Sequence, residues 1–167
     1  MNRLLKQLLV CVLLLALIEQ ATADSLSDAQ SAYAAGHYKK AAKLYMPLAK
    51  KGNAEAQFYL GVMYAHGEGM PKNAAKAVEF YRLAAVQGDA SAQRLLAVMY
   101  NTGLGIAKNN ILALMWINIA AENAAEGKGQ EGSTKLRELV VKQLTEQQIA
   151  EAQELAKKCT ASKLKGC

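Results

Sequence analysis

Few residues of this 167-residue chain interrupt a helix or supply a large ring. It contains 2 prolines, 1 tryptophan and 2 phenylalanines, and aromatic residues make up only 6% of the sequence. Because alanine is the best helix former and proline the worst, an alanine-rich and proline-poor chain favours helices throughout. The length is that of one domain. Its interior must be built from Ala, Leu, Val and Met, with tyrosine as the main large ring.

The residues that usually form metal sites and covalent catalytic centres are also scarce. The 2 histidines, His37 and His66, do not cluster with any of the 3 cysteines, which argues against a metal site. No Gly-x-Ser-x-Gly elbow occurs, and the glycine loops lack the Lys-Ser/Thr pair of a phosphate-binding loop. The sequence therefore predicts no metal, no cofactor and no catalytic residue.

The first 23 residues indicate an export signal that is not part of the fold. Arg3 and Lys6 form a positive segment, residues 8–18 are an unbroken apolar run, and residues 21–23 (Ala-Thr-Ala) fit a cleavage site. The run is too short to span a membrane, which takes about 20 apolar residues. We expect cleavage after Ala23 and a periplasmic or secreted protein, with a retained anchor as the alternative.

Two cysteines, Cys159 and Cys167, remain after such a cleavage. In an oxidising compartment an even pair near one end of a chain is more often a disulfide than a metal site, so we expect these two to be paired.

Positive charge predominates, with a formal net charge of +6 and a sequence pI of about 9.2. An exported protein does not routinely meet nucleic acid, so we expect none as a partner. The charge indicates acidic protein, anionic lipid headgroups or cell-wall polymer instead. The lysines concerned are Lys39, Lys40, Lys43, Lys50, Lys51, Lys157, Lys158, Lys163 and Lys165.

One 36-residue unit occurs twice between Ala54 and Ala125. Residues 54–89 and 90–125 are identical at 14 of the 36 aligned positions. A period of this length indicates a solenoid, because one helix pair cannot bury its own apolar stripe and stacking on neighbours does so. The identical pairs include Ala54/Ala90, Gln57/Gln93, Leu60/Leu96, Met63/Met99 and Tyr64/Tyr100.

An N-terminal helix pair is predicted over residues 27–52. Ser27 and Gln30 fit a capping box at its start, and Gly36 marks the turn between its two helices. Pro47 falls inside the second helix, where a lost backbone hydrogen bond predicts a kink.

Each repeat is predicted to contain two helices joined by a Gly-x-Gly turn. Gly52-Asn53 and Gly88-Asp89 each end one helix and cap the next. Asn73 and Asn109 cap the second helix of each unit. The Gly-x-Gly turns are residues 67–69 and 103–105.

A further helix pair, over residues 133–159, is predicted to close the C-terminal end of the solenoid. Ser133 can cap the first of its helices, and Thr145 opens the second with a capping box. The last helix has a polar outer face, which a terminal unit of a solenoid needs. Residues 160–167 are predicted to form an irregular tail.

These residues resemble the Sel-one-like repeat family, which are longer-looped relatives of the tetratricopeptide repeats. The family pattern is Ala-x-Ala-x-x-x-Leu-Gly-x-x-Tyr, then a Gly-x-Gly loop, then Ala and aromatic positions before Ala-Ala-x-x-Gly. Residues 54–88 match each landmark, whereas in residues 90–125 Ala97 replaces the helix glycine and Ala124 the closing one. The second replacement predicts a helix that continues past its usual end. The resemblance implies an all-α, right-handed superhelical solenoid of antiparallel helix pairs, often exported in bacteria.

The resemblance also implies a non-catalytic scaffold or adaptor that binds protein partners. In the tetratricopeptide relatives, first-helix residues that are not used for packing line a concave groove, and a mixed apolar and polar groove suits a peptide segment. By position, the groove residues here are Glu55, Phe58, Val62 and His66 in the first unit, and Ser91, Arg94, Val98 and Thr102 in the second.

Two other functions stay open. One is a cell-wall-directed enzyme or binder, in which His66 would act with Glu68 as the nearby candidate base. Some relatives are described as binding or hydrolysing β-lactams, but those are rich in paired cysteines, which the repeats here lack. The other is a structural subunit of an envelope export or motility complex.

Overall fold

The computed structural model describes residues 10, 12, 13, 23–124 and 128–167. The expected export signal lies almost wholly outside the described residues, so it stays a prediction. None of the described residues is in a β-strand, which confirms the all-helical expectation. No helix in this part of the chain combines the length and apolar character needed to cross a bilayer.

Eight helices follow one another with short connections in the described part of the chain. Neighbouring helices from α2 to α7 pack against each other, most closely within the pairs α3–α4 and α5–α6. The helices are α1 (residues 23–34), α2 (Tyr38–Lys50), α3 (Ala54–His66), α4 (Ala74–Ala85), α5 (Ala90–Thr102), α6 (Asn110–Asn123), α7 (Lys128–Val141) and α8 (Glu146–Ala161).

The predicted caps of both repeats and of the last helix are confirmed. The side chains of Asn53, Asn73, Asp89 and Asn109 each accept a hydrogen bond from the backbone N–H three residues further on. Thr145 forms a complete capping box at the start of α8. These bonds satisfy amide groups that the first turn of a helix leaves without partners, and so they fix where each helix begins.

Two predicted serine caps are wrong. Ser27 lies inside α1, which is already helical at residue 23, so it does not have the extended backbone of a cap. Ser133 lies inside α7, which begins at Lys128, and is only 2% exposed. A small hydroxyl side chain can occupy a tightly packed helix face, and packing decided the role of Ser133. The last helix also continues to Ala161, two residues into the predicted tail.

The second repeat ends as its sequence predicts. In the first repeat α4 ends at Ala85, whereas α6 continues to Asn123, beyond Ala121, which aligns with Ala85. The helix runs on because Ala124 replaces the glycine that would stop it. Pro47 lies inside α2 as predicted, and the kink there stays a prediction.

The second glycine of each Gly-x-Gly loop lies against the preceding helix pair. Gly69 and Gly105 have left-handed backbones, with φ of +71° and +73°. A Cβ atom on Gly69 would lie 2.5 Å from the carbonyl carbon of Tyr38, and one on Gly105 would lie 2.4 Å from that of Ala74. Only glycine fits both demands, and these loops therefore set how closely successive pairs stack.

Two buried glutamines link successive helix pairs. Gln57 Nε2 donates to the Ala49 carbonyl oxygen at 3.1 Å, and Gln93 Nε2 donates to the Ala85 carbonyl oxygen at 2.9 Å. Each glutamine thus adds a second hydrogen bond to a carbonyl in the last turn of the preceding pair, which also accepts one from the backbone N–H three residues further on. Each also accepts a hydrogen bond from an amide near the end of its own repeat. These donors are Gln87 and Asn123. We call this repeated arrangement the glutamine ladder.

The C-terminal end departs from the repeat pattern. α7 and α8 both pack against α6, and their described residues make almost no contact with each other. They therefore do not form the closely packed hairpin that α3–α4 and α5–α6 form. α8 instead lies on α6 and covers part of the last repeat, which fits the role of a terminal cap.

Gly61 on α3 faces the ring of Tyr81 on α4. A Cβ atom on Gly61 would lie 2.6 Å from two carbons of that ring. Alanine normally stabilises a helix interior by about 1 kcal/mol relative to glycine, but overpacking of a core costs about 1–3 kcal/mol. We expect Gly61→Ala to lower the free energy of unfolding by about 1 kcal/mol, since the overlap outweighs the helix propensity.

The second repeat suggests the control, because Ala97 and Ile117 stand at the two equivalent positions. The double variant Gly61→Ala/Tyr81→Ile reproduces that pair in the first repeat. In a double-mutant cycle followed by urea unfolding, we expect the alanine to be tolerated better when residue 81 is isoleucine. Strictly additive effects would contradict the proposed overlap.

Candidate protein-binding face

In the first repeat, most of the predicted groove residues take part in internal packing. Glu55 is half-buried, and its carboxylate accepts a hydrogen bond from Gln30 Nε2 on α1. The ring of Phe58 packs against Tyr81 with the ring centroids 6.3 Å apart, and Val62 is half-buried against the core. The fourth residue of the predicted set, His66, is exposed.

In the second repeat, the predicted residues are more accessible. Ser91, Arg94, Val98 and Thr102 recur every three or four residues of α5, so they share one face of the helix. Ser91 and Thr102 are exposed, whereas Arg94 and Val98 are half-buried. We call these four residues the α5 row.

The α5 row is bordered by α7. A Cβ atom placed on Gly132 of α7 would lie 3.6 Å from Arg94 Cδ, so the arginine side chain passes alongside this helix. Within the described residues, no hydrogen bond or ion pair is formed by the Arg94 guanidinium. Thr102 Oγ1 donates to the Val98 carbonyl oxygen at 2.8 Å. The row therefore presents a cation, hydroxyl groups and an apolar surface together.

An exposed leucine close to the row was not among the predicted residues. Leu104 occupies the middle of the second Gly-x-Gly turn and is 51% exposed. It aligns with Glu68 of the first repeat. The sequence signal that could have identified it is the replacement of a charged loop residue by a large apolar one. A large apolar side chain exposed in a loop is typical of an interaction surface.

In the first-repeat loop, the carboxylate of Glu68 is bonded to a residue of α1. Glu68 Oε2 accepts a hydrogen bond from the Tyr33 hydroxyl at 2.7 Å. Burial raises the pKa of the Tyr33 phenol, and the bond to Glu68 raises it further, so the phenol keeps its proton and donates it. Glu68, the candidate base next to His66, is thus bonded to α1. This bond joins the N-terminal pair to the first repeat.

The structure also shows where the cysteines and the possible metal ligands lie. Cys159 is buried in α8, and the structure pairs it with Cys167, with the Cα atoms 5.8 Å apart. This places the two cysteines where the sequence analysis expects a disulfide. No group of three or more His, Cys, Asp or Glu residues in the described ranges could hold a metal ion.

The arrangement as a whole is a solenoid of stacked helix pairs, with a partly open face on α5. The family model of the Sel1 repeat matches residues 54–89 and 90–124. Residues 54–124 are therefore two Sel1 repeats, which confirms the Sel-one-like resemblance. Sel1 repeats generally mediate protein–protein interactions.

Two solved structures share this fold. One is c5321, a protective antigen present in uropathogenic Escherichia coli strains displaying an SLR fold, with 28% identity and a TM-score of 0.76 over 84% of this chain. The other is a Sel1 repeat protein from Oxalobacter formigenes, with 30% identity and a TM-score of 0.64 over 83% of this chain. The chain spans 30% of the first protein and 57% of the second. No curated protein gives a significant match.

Proposed function

We propose that the protein is a non-catalytic scaffold that binds a segment of another protein along the α5 row, in a bacterial periplasm or cell envelope. The observation that supports this most is the accessibility of the row. It carries Arg94, two hydroxyl groups and Val98 on one helix face, and the exposed Leu104 follows in the adjoining loop. A peptide with one acidic and one or two apolar side chains fits this surface.

Arg94 is the residue best suited to anchor such a peptide. Its guanidinium offers a planar set of donors for a carboxylate, and it has no acidic partner in the described part of the chain. Its half-buried position beside α7 restricts the side chain, so less conformational freedom is lost on binding than for a fully exposed arginine. Arginine is also enriched among residues that dominate binding energy.

The two repeats contribute unequally in this proposal. The predicted α3 residues Glu55, Phe58 and Val62 already contact other side chains of the same protein. Phe58→Ala therefore acts mainly on stability, whereas substitutions in the α5 row act on binding. No catalytic role is assigned to His66.

Location in the periplasm or envelope rests on two features. The N-terminal 23 residues have the charge, apolar run and small residues of an export signal. The Cα atoms of Cys159 and Cys167 lie 5.8 Å apart, a separation that suits a disulfide, and disulfides persist in oxidising compartments.

Capture of partners from an envelope fraction tests the proposal. Arg94→Glu is expected to lower recovery of the specific partner at least about tenfold, which corresponds to about 1.4 kcal/mol of binding free energy. The matched control is Arg137→Glu on α7, an exposed arginine that lies beside Asn118 of α6 and Lys157 of α8 and not beside the row. It is expected to change recovery less than about twofold, as for a charge outside an interface. Unchanged recovery with Arg94→Glu, or equal losses with both, would contradict the proposed site.

A further inference from the structure

α2 carries charge of one sign only. Lys39, Lys40, Lys43 and Lys50 are exposed on this helix, Lys51 follows in the turn, and the helix contains no acidic residue. None of these five lysines forms an ion pair with another residue that the structure describes. The helix and the turn after it therefore present five positive charges to the outside, with no ionic partner among the described residues.

The placement of three of these lysines is unfavourable for the helix itself, whereas Lys50 lies in the last turn, where the helix dipole favours a cation. Lys39 and Lys40 lie in the first turn, where the helix dipole is positive and acidic residues are stabilising. Lys39 and Lys43 are four residues apart, so their charges repel each other on the same face. Charged residues that destabilise their own helix, without a contact elsewhere that compensates, are typical of a surface retained for function.

An apolar strip lies among the lysines. Ala42, Met46 and Pro47 line a shallow depression of about 430 Å³ together with Lys43 and Lys50. The described residues that line it all belong to α2, so the strip runs along one helix face. A bound peptide helix lies between two walls, whereas a flat apolar strip edged by cations suits a planar bilayer surface.

The feature is specific to the first pair. The positions one repeat later than Lys39, Lys43 and Lys50 are occupied by Ala75, Glu79 and Val86. The repeat pattern therefore does not require the lysines.

We propose that α2 docks on the surface of an anionic phospholipid membrane. The lysine heads contact lipid phosphates while their aliphatic stems lie along the helix, and Met46 and Pro47 reach the boundary of the acyl chains. This face lies on a different helix from the α5 row, so the protein can hold a protein segment and a membrane with separate surfaces.

Vesicle co-sedimentation of the full chain tests the proposal. The probe is vesicles of phosphatidylglycerol and phosphatidylcholine, compared with phosphatidylcholine alone. Lys39→Glu/Lys43→Glu/Lys50→Glu is expected to lower partitioning onto the anionic vesicles at least about 100-fold, since each lysine near such a surface contributes about fivefold.

The matched control reverses three lysines at the other end, Lys157→Glu/Lys158→Glu/Lys165→Glu, which changes the net charge equally. We expect it to lower partitioning less than about threefold, because these residues lie outside the docking face. The N-terminal 23 residues are the same in all variants, so their own affinity for lipid cancels. Circular dichroism shows whether each variant is folded.

Two further measurements separate the alternatives. Met46→Ser is expected to lower partitioning several-fold without a change of charge, since it removes apolar contact. Equal losses in the two triple variants, or a loss in neither, would overturn the proposal. It would also be overturned if the α2 variant kept its vesicle binding but lost binding to poly-glutamate, because the face would then be directed at acidic protein.

Discussion

Replacing Gly105 with alanine is expected to lower the free energy of unfolding by about 3 kcal/mol, one of the two largest effects anticipated for this protein. Two costs add. The φ of +73° is left-handed, and an L-residue there costs about 1–2 kcal/mol. The new Cβ atom would also lie 2.4 Å from the Ala74 backbone. Backbone cannot move aside as a side chain can, so α4 and the loop must separate, at about 1–3 kcal/mol.

Gly88 provides the control for this substitution. It also has a left-handed backbone, with φ of +93°, but nothing lies within 4 Å of the position that its Cβ would occupy. Gly88→Ala is therefore expected to cost only the conformational part, about 1–2 kcal/mol. Urea unfolding followed by circular dichroism measures both variants. Equal losses would show that contact between Gly105 and the preceding pair contributes nothing.

Replacing Trp116 with alanine is expected to lower the free energy of unfolding by about 3–5 kcal/mol, as for other large-to-small changes of buried aromatic residues. Trp116 has no exposed surface and is the largest of the fully buried side chains that the structure describes. α5, α7 and α8 all pack against the helix that carries it. A cavity at this position therefore weakens the last repeat and its cap together.

Phe80 stands at the equivalent position of the first repeat and is only partly buried. It stacks on Tyr64 with ring centroids 5.6 Å apart. Phe80→Ala is expected to cost about 1–2 kcal/mol, since less surface is lost and solvent can fill the space. Because Trp116 is the only tryptophan, unfolding is followed by circular dichroism in place of fluorescence. A smaller loss for Trp116→Ala than for Phe80→Ala would contradict this account.

The sequence allowed the repeats and their boundaries to be predicted because those signals are local. Asn73 and Asn109 each lie just before a helix, and each bonds a backbone amide only three residues away. Such contacts depend on a short stretch of chain. The same reasoning failed at Ser27 and Ser133, since serine also suits a helix interior and only distant packing decides between the two roles.

The contacts between units were harder to predict because they join residues far apart in the chain. Gln57 and Gln93 are identical in both repeats, which was a visible signal, yet nothing local shows that each is buried against the end of the preceding pair. The bond between Tyr33 and Glu68 spans 35 residues. It joins an N-terminal pair and a repeat that follow different sequence patterns.

For the predicted groove too, local features could be predicted from the sequence and distant contacts could not. Position in the repeat placed four residues on one stripe of α5, and their role in binding stays a prediction. It gave no sign that Glu55 bonds Gln30 or that Phe58 packs on Tyr81. For Glu55 the difference arises because α1 supplies Gln30 as its partner. For Phe58 it arises because the first repeat has the Tyr81 ring where the second has Ile117.

The glutamine ladder and the loop glycines recur at the same interval on both sides of the junction between Asp89 and Ala90. A duplicated copy of residues 54–89 spliced in at that junction would find a carbonyl for its glutamine, and would offer one to the next unit. A repeat added after α8 would have no equivalent carbonyl to bond, because α8 packs on α6 where a third repeat would otherwise stack. Gene duplication can therefore lengthen this array from within, whereas growth at its C-terminal end would first require the loss of that helix.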